Sequence, residues 1–233
     1  MASPLLAPQL IKDSRMLYFG WVPADPGAAA ALVPAGLAPV ANRAVYINQY
    51  VVDRPEQTSG FGAYSLTYLG LDLAGLDLAD GTPGRWWTHY FNSSPGMRGY
   101  AAERGLPAQP GETTLELDGD VLTATTLAGG APLIRSRARV GATSPDVVAR
   151  GQLLYITRVD GVLTRGQYPY VLDPVEPFEI LSLEFLQPDH PVSALAPASP
   201  LQVTQGFYSP RVTFCYPGGE EPLVPIAAAA REL

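Results

Sequence analysis

Lysine is almost missing from this chain of 233 residues: it occurs once, as Lys12, against fourteen arginines. Any chemistry that needs an amine nucleophile or a Schiff base must therefore use Lys12 or the N-terminus. Cysteine also occurs once, as Cys215, which excludes an intrachain disulfide and predicts a small buried residue in TFCYPGG. Histidine occurs twice, at His89 and His190, so a histidine-rich metal centre is excluded and no metal site is expected. Charged residues make up only 16% of the chain, which predicts a largely neutral surface and, from that, a homo-oligomer. The net charge of −7 argues against nucleic acid and anionic membranes as partners, because both demand a basic surface. No apolar run approaches the ~18 residues of a membrane span. The opening MASPLLAPQLIKDSR has neither a basic start nor a long apolar core, so no secretory signal is expected and the cytoplasm is the expected location. Phosphate-binding glycine loops, GxSxG and HExxH are all absent.

The chain does hold β-formers in short runs between turn residues. With 47% hydrophobic residues and a mean hydropathy of +0.07, it is expected to form one folded domain over 1–233, with residues 1–15 as a loose arm. Strands are predicted at MLYFGWV, RAVYINQYVVD, AYSLTYLGLDL and RWWTHYFN. Asp25 followed by Pro26 predicts the N-cap of a short helix, and a second helix is expected within SSPGMRGYAAERGLP, ending near Gly105. Gly119-Asp120 reads as a hairpin turn, followed by further strands to RVTFCYP. The pattern predicts a β-rich α+β fold: a largely antiparallel, closed or nearly closed sheet with two or three short helices.

Within TSGFGAYSLTYLG, the period of two puts Tyr64, Leu66 and Tyr68 on one face, either as packed core or as a pocket wall. In WWTHYFN, His89 and Tyr90 must look to opposite sides. His89 is the best candidate for general acid–base work, since imidazole titrates near neutrality, although a lone histidine among aromatics is more often a hydrogen-bonded core residue. His190 reads as a loop residue in QPDHPV.

Several segments, in order, resemble the acetoacetate decarboxylase-like superfamily. LYFGWVPADPGAAAALVPAGLAP is similar to its opening strand and helix, and YINQYVVDRPEQTSGFGAYSLTYLG to its next hairpin with T-S-G-x-G-x-Y. RGYAAERGLPAQ is similar to the helix that carries the family's lysine pair, and PLQVTQGFYSPRVTFCYP to the closing strands. The resemblance covers nearly the whole chain. It implies a cone-shaped β-barrel with a central apolar cavity.

The departures bear on chemistry. The lysine-bearing helix reads Ala101-Ala102-Glu103-Arg104; a family glutamate falls on Leu66; a family arginine falls on Pro23; and the other acidic position falls near Ile47 or Asn48. Arg104 cannot replace a lysine nucleophile, because guanidinium stays protonated. Schiff-base decarboxylation is therefore not expected. The resemblance and the residues left over imply a cofactor-independent lyase- or isomerase-type enzyme of bacterial secondary metabolism. Its expected partner is a small hydrophobic carbonyl compound: a ketone, β-keto acid or polyketide-like molecule. The candidates for catalysis are His89, Arg98 and Tyr64; those for substrate binding are Asn48, Tyr50, Leu66, Tyr68, Tyr90 and Trp21. A non-catalytic binding protein, or a decarboxylase that needs no lysine, is the alternative.

Overall fold

The structure is a computed structural model that describes residues 5–42, 44–141 and 147–223; residues 1–4 of the expected arm lie outside them. Seven strands close a barrel: β1 (Gln9–Trp21), β2 (Val45–Val52), β3 (Tyr64–Asp72), β4 (Gly84–Asn92), then β9 (Ala149–Val159), β10 (Val162–Leu172) and β12 (Val203–Tyr216), which pairs with both β10 and β1. All neighbours run antiparallel except β4 and β9, which are parallel. Short β5 (Ala108–Pro110) and β13 (Glu221–Pro222) extend this sheet at β4 and β10. The strands between, β6 (Glu112–Asp118), β7 (Val121–Ala128) and β8 (Ala131–Val140), form a second sheet with β11 (Phe178–Phe185).

Local signals place the remaining elements. Asp25 accepts hydrogen bonds from the amides of Gly27 and Ala28 and caps α1 (Pro26–Ala31). Ser94 caps α2 (Pro95–Glu103) through the Met97 amide, and Gly105, at φ 74°, supplies the left-handed residue beyond its end. Gly119 and Asp120 make the two-residue turn between β6 and β7. The expected loose arm is shorter than the sequence pattern suggested, because β1 begins at Gln9. Asp13 has φ 51° and two bulges flank Ser14, so the alternation that marks a strand is broken there although pairing continues. The final two expected strands are one long strand, β12.

The second sheet packs against the outside of β1, β2 and β3, so these strands are buried on both faces. Leu17, Phe19, Ile47 and Leu69 look outward and meet Leu122, Ala124, Ile134 and Ala138 of the second sheet. Each fully buried leucine, isoleucine or phenylalanine among them contributes roughly 1.5–3 kcal/mol. A buried polar cluster fixes the two layers to each other. Thr126 Oγ1 accepts from Gln49 Nε2 at 3.0 Å and contacts Thr67 Oγ1 at 2.7 Å, and Thr67 contacts Thr113 at 2.7 Å.

The inside of the barrel is aromatic. Ten of the twelve tyrosines belong to the inner cluster, with Trp87, Phe61 and Phe214. Glycine makes room for them. Tyr46 is paired with Gly70, Tyr155 with Gly166 and Tyr170 with Gly151, each on the adjacent strand. A Cβ at Gly70 would stand 2.5 Å from the Tyr46 hydroxyl, and one at Gly151 would stand 2.5 Å from that of Tyr170.

Candidate functional site

Inside this barrel is a cavity of about 250 Å³, to which all seven strands contribute. At ~30 Å³ per water this is room for about eight waters, or an organic molecule of similar size. Met16 and Tyr18 come from β1, Asn48 from β2, Tyr68 from β3 and Arg85 from β4. Leu153 comes from β9, Tyr168 and Tyr170 from β10, and Gln205 to Phe207, Val212 and Phe214 from β12. Exposed Gln205 and half-buried Phe207 and Tyr170 stand at the solvent side. No aspartate, glutamate, lysine or histidine lines the cavity among the described residues.

Arg85 is the charged group of the site. It sits opposite Asp72 across β3 and β4, and Nε donates to Asp72 Oδ1 at 3.0 Å. Its guanidinium lies 4.9 Å from the Tyr46 ring centroid and 5.5 Å from that of Tyr18, a cation–π arrangement. Burial opposes its charge, but Tyr18, Tyr46 and Asp72 more than offset that, and its pKa is held above the ordinary arginine range. Asp72 engages only Nε; the terminal nitrogens make no hydrogen bond to a described residue.

A hydrogen-bonded chain completes the polar lining. Asn48 Nδ2 donates to Tyr68 Oη at 2.8 Å, and Tyr68 Oη is 3.2 Å from Tyr168 Oη. Either hydroxyl can donate to the other, and in both arrangements one proton lies between Tyr68 and Tyr168 and one is left to serve the cavity. Burial raises the pKa of Tyr18, Tyr68 and Tyr168, so all three stay neutral hydroxyls. Gln205 Nε2 donates to Tyr18 Oη at 3.3 Å.

Six of the nine residues singled out from sequence lie on the cavity side of the barrel. Asn48 and Tyr68 line the cavity. Tyr50, Tyr64, Leu66 and Tyr90 share its side of the sheet but pack into the surrounding core, and the hydroxyls of Tyr50 and Tyr64 meet at 2.9 Å. Thus the face shared by Tyr64, Leu66 and Tyr68 is core for two of its members and pocket wall for the third.

Three candidates lie elsewhere. His89 looks outward, away from the cavity, because Tyr90 takes the inward position of that pair. Its ring is 6.1 Å from Phe91 and 6.3 Å from His190, and Nδ1 lies 3.0 Å from Thr88 Oγ1. Burial, and secondarily His190, push its pKa down to about 4. Arg98, on α2, donates from Nη1 to the Asn92 carbonyl at 2.8 Å and lines a separate surface groove with Ser93 and Pro110. Trp21 is packed between the barrel and the second sheet, with Nε1 donating to the Leu195 carbonyl at 2.8 Å.

The remaining charges of interest are also outside. Lys12 is exposed. Arg104, at the end of α2, is paired with Glu220 at 2.8 Å, and Tyr155 donates to the same carboxylate oxygen at 2.9 Å. Cys215 is half-buried rather than fully buried. Among the described residues there is no group of three His, Cys, Asp or Glu side chains placed to hold a metal ion, and no helix is long and apolar enough to cross a membrane.

Arg85 was missed in the sequence. The signal for it was a charge at the head of GRWWTHYF, a run too aromatic to be solvated, where a guanidinium needs a buried partner.

The barrel with its second sheet defines the class. Among solved structures, the chain is similar to an acetoacetate decarboxylase (TM-score 0.68, 16% identity, covering 94% of this chain and 90% of that one). It is also similar to the acetoacetate decarboxylase of Legionella pneumophila (0.65, 16%, 97% and 94%). A third similar structure is the enduracididine biosynthesis enzyme MppR complexed with pyruvate (0.63, 15%, 96% and 92%). No family model matches the sequence, and no curated protein matches it. The chain has the acetoacetate decarboxylase-like fold.

Proposed function

We propose that this protein is an enzyme that takes a small hydrophobic ketone or 3-oxo acid into the barrel and activates its carbonyl by hydrogen bonding, with no Schiff base. The observation that carries this reading is Arg85: a half-buried guanidinium in the cavity whose terminal nitrogens have no hydrogen-bond partner among the described residues, together with the proton that the Tyr68–Tyr168 hydroxyl pair has to spare. The single lysine is exposed and contributes nothing to the cavity. Enzymes of known structure with the same fold support the assignment to an enzyme.

The cavity supplies donors and no base: Tyr18, Tyr68 and Tyr168 stay neutral, and among the described residues no carboxylate or imidazole lines it. Decarboxylation of a 3-oxo acid suits that inventory. The bond between the carboxylate carbon and C2 breaks, its electron pair forms the C2–C3 double bond, and carbon dioxide leaves. The negative charge that develops on the carbonyl oxygen is met by Arg85 and the Tyr68–Tyr168 pair. Water then protonates C2. Apolar Met16, Leu153, Val212 and Phe214 around the carboxylate favour the loss of its charge.

The test is carbon dioxide release from 3-oxohexanoate. The reading predicts release that survives borohydride treatment and falls at least ~100-fold in Arg85→Met. Release abolished by borohydride, or unchanged in Arg85→Met, would overturn it. The absence of a cavity base also favours a second reading, a small-molecule binding protein without turnover. Ligand retention with no release by the wild-type protein would decide for that one.

A further inference from the structure

The cavity has a closed end and an open one. Buried Leu153, Val212 and Phe214 close it inside the barrel. At the other end the barrel wall is one-sided. β12 pairs with β1 along its length, but with β10 only through Val212, Thr213 and Phe214. Among the described residues no strand pairs with the second edge of residues 203–207. Exposed Gln205 and half-buried Phe207 lie on that stretch, and half-buried Tyr170 stands across from them. Tyr170 lies over Gly151, where a Cβ would stand 2.5 Å from its hydroxyl. Phe207 is stacked on Tyr18 with ring centroids 5.3 Å apart, and Gln205 is tied to the Tyr18 hydroxyl by one long hydrogen bond of 3.3 Å. The Arg85 guanidinium lies 5.5 Å from the same Tyr18 ring. One aromatic side chain therefore separates the carbonyl-binding group from the rim.

We infer that Phe207 is a specificity-determining residue, and that the substrate's carbonyl carries an extended apolar chain that leaves the barrel against Phe207 and Tyr170. This rests on the reading of Arg85 as the carbonyl-binding group. The two substituents of the carbonyl then part. The carboxylate arm faces the apolar closed end, and the other group is left with the mouth. The cavity of about 250 Å³ is filled by about eight non-hydrogen atoms at ~30 Å³ each, which is a 3-oxo acid of about five carbons. Each further methylene lies on the aromatic rim and covers apolar surface that water otherwise meets. The substrate class is a medium-chain 3-oxo acid, and the shortest 3-oxo acids are the poorer substrates.

Carbon dioxide release from 3-oxobutanoate, 3-oxohexanoate and 3-oxodecanoate by the full-length protein tests this. A fully buried methylene is worth about 4-fold, so one half in water should give about 2-fold. The wild type should therefore favour 3-oxodecanoate over 3-oxohexanoate roughly 10–20-fold in kcat/KM. The gain should lie mainly in KM, because the rim is remote from the reacting carbonyl. Phe207→Ala should cut the ratio at least ~3-fold, and Phe207→Leu, which keeps an apolar side chain, should retain most of it. A wild-type efficiency that levels off or falls beyond six carbons would overturn the inference while release from the shorter acids leaves the Arg85 reading standing. That ratio is decisive even if Phe207→Ala does not fold. A ratio unchanged in a folded Phe207→Ala would also overturn the assignment of Phe207. No release from any of the three acids would overturn the Arg85 reading and this inference with it.

Discussion

His89 is the residue most easily mistaken for a catalyst, and its environment gives it a different, measurable consequence. Its ring is stacked near Phe91, touches Thr88 and faces His190, and burial brings its pKa to about 4 from an ordinary ~6.5. The folded chain therefore holds the ring neutral while the unfolded chain protonates it below pH ~6.5. In that window the unfolded state binds more protons, so stability falls as pH falls. The loss is complete only below pH 4, where it reaches ~2.5 pKa units at ~1.36 kcal/mol each, roughly 3 kcal/mol. At pH 4.5 about 2.5 kcal/mol of it is already gone. His89→Gln keeps a polar group next to Thr88 and removes the titration. Urea unfolding of both proteins at pH 7 and pH 4.5 isolates the effect, because the carboxylates titrate alike in the two. The variant should lose about 2–3 kcal/mol less than the wild type between these pH values, and its affinity for cavity ligands at pH 7 should be unchanged. Equal losses would refute the neutral, buried placement. A variant that folds normally yet no longer turns over substrate would refute the outward placement.

Three further outcomes follow from packing. Thr126→Val strands Gln49 Nε2 between the sheets, leaves Thr67 Oγ1 with Thr113 alone, and should cost about 1–3 kcal/mol in denaturant unfolding, whereas a change on exposed Glu116 should cost almost nothing. Gly70→Ala pushes a methyl against the Tyr46 hydroxyl and the Trp86 carbonyl; it should destabilise by about 1–3 kcal/mol and weaken ligand binding, because Tyr46 underlies Arg85. Glu220→Gln removes the charge that Arg104 and Tyr155 share, and should expose the 217–223 segment to proteolysis with little effect on cavity binding.

Much of the architecture could be read from local chemistry. The cap at Asp25, the helix end at Gly105, the turn at Gly119-Asp120 and the period of the strands each rest on two or three neighbouring residues. The split of His89 from Tyr90 and the grouping of Tyr64 with Leu66 and Tyr68 were also legible. Which face looked inward was not. The second sheet covers the outside of β1 to β3, so both faces of those strands are apolar, and alternation between two apolar faces carries no label for the cavity side. The cross-strand pair of Arg85 with Asp72 depends on the β3–β4 register, which a bulge at Thr88 shifts by one residue. That bulge puts Trp87 and Tyr90 into the same inner cluster, an arrangement that no strict period of two predicts. The resemblance helped with the fold and misdirected attention in the site: the helix expected to border the chemistry contributes Met97, Tyr100 and Ala101 to the core, and its two arginines serve the structure around it.

The most direct test of the account observes the carbonyl itself. Butanone labelled with carbon-13 at the carbonyl is titrated into the wild-type protein and into Arg85→Met, and the carbonyl resonance is followed. Polarisation by Arg85 and the Tyr68–Tyr168 pair predicts a ketone signal that moves downfield on binding to the wild type and stays near its free position with Arg85→Met. A signal converted to that of an imine, or a downfield shift of the same size in Arg85→Met, would contradict it.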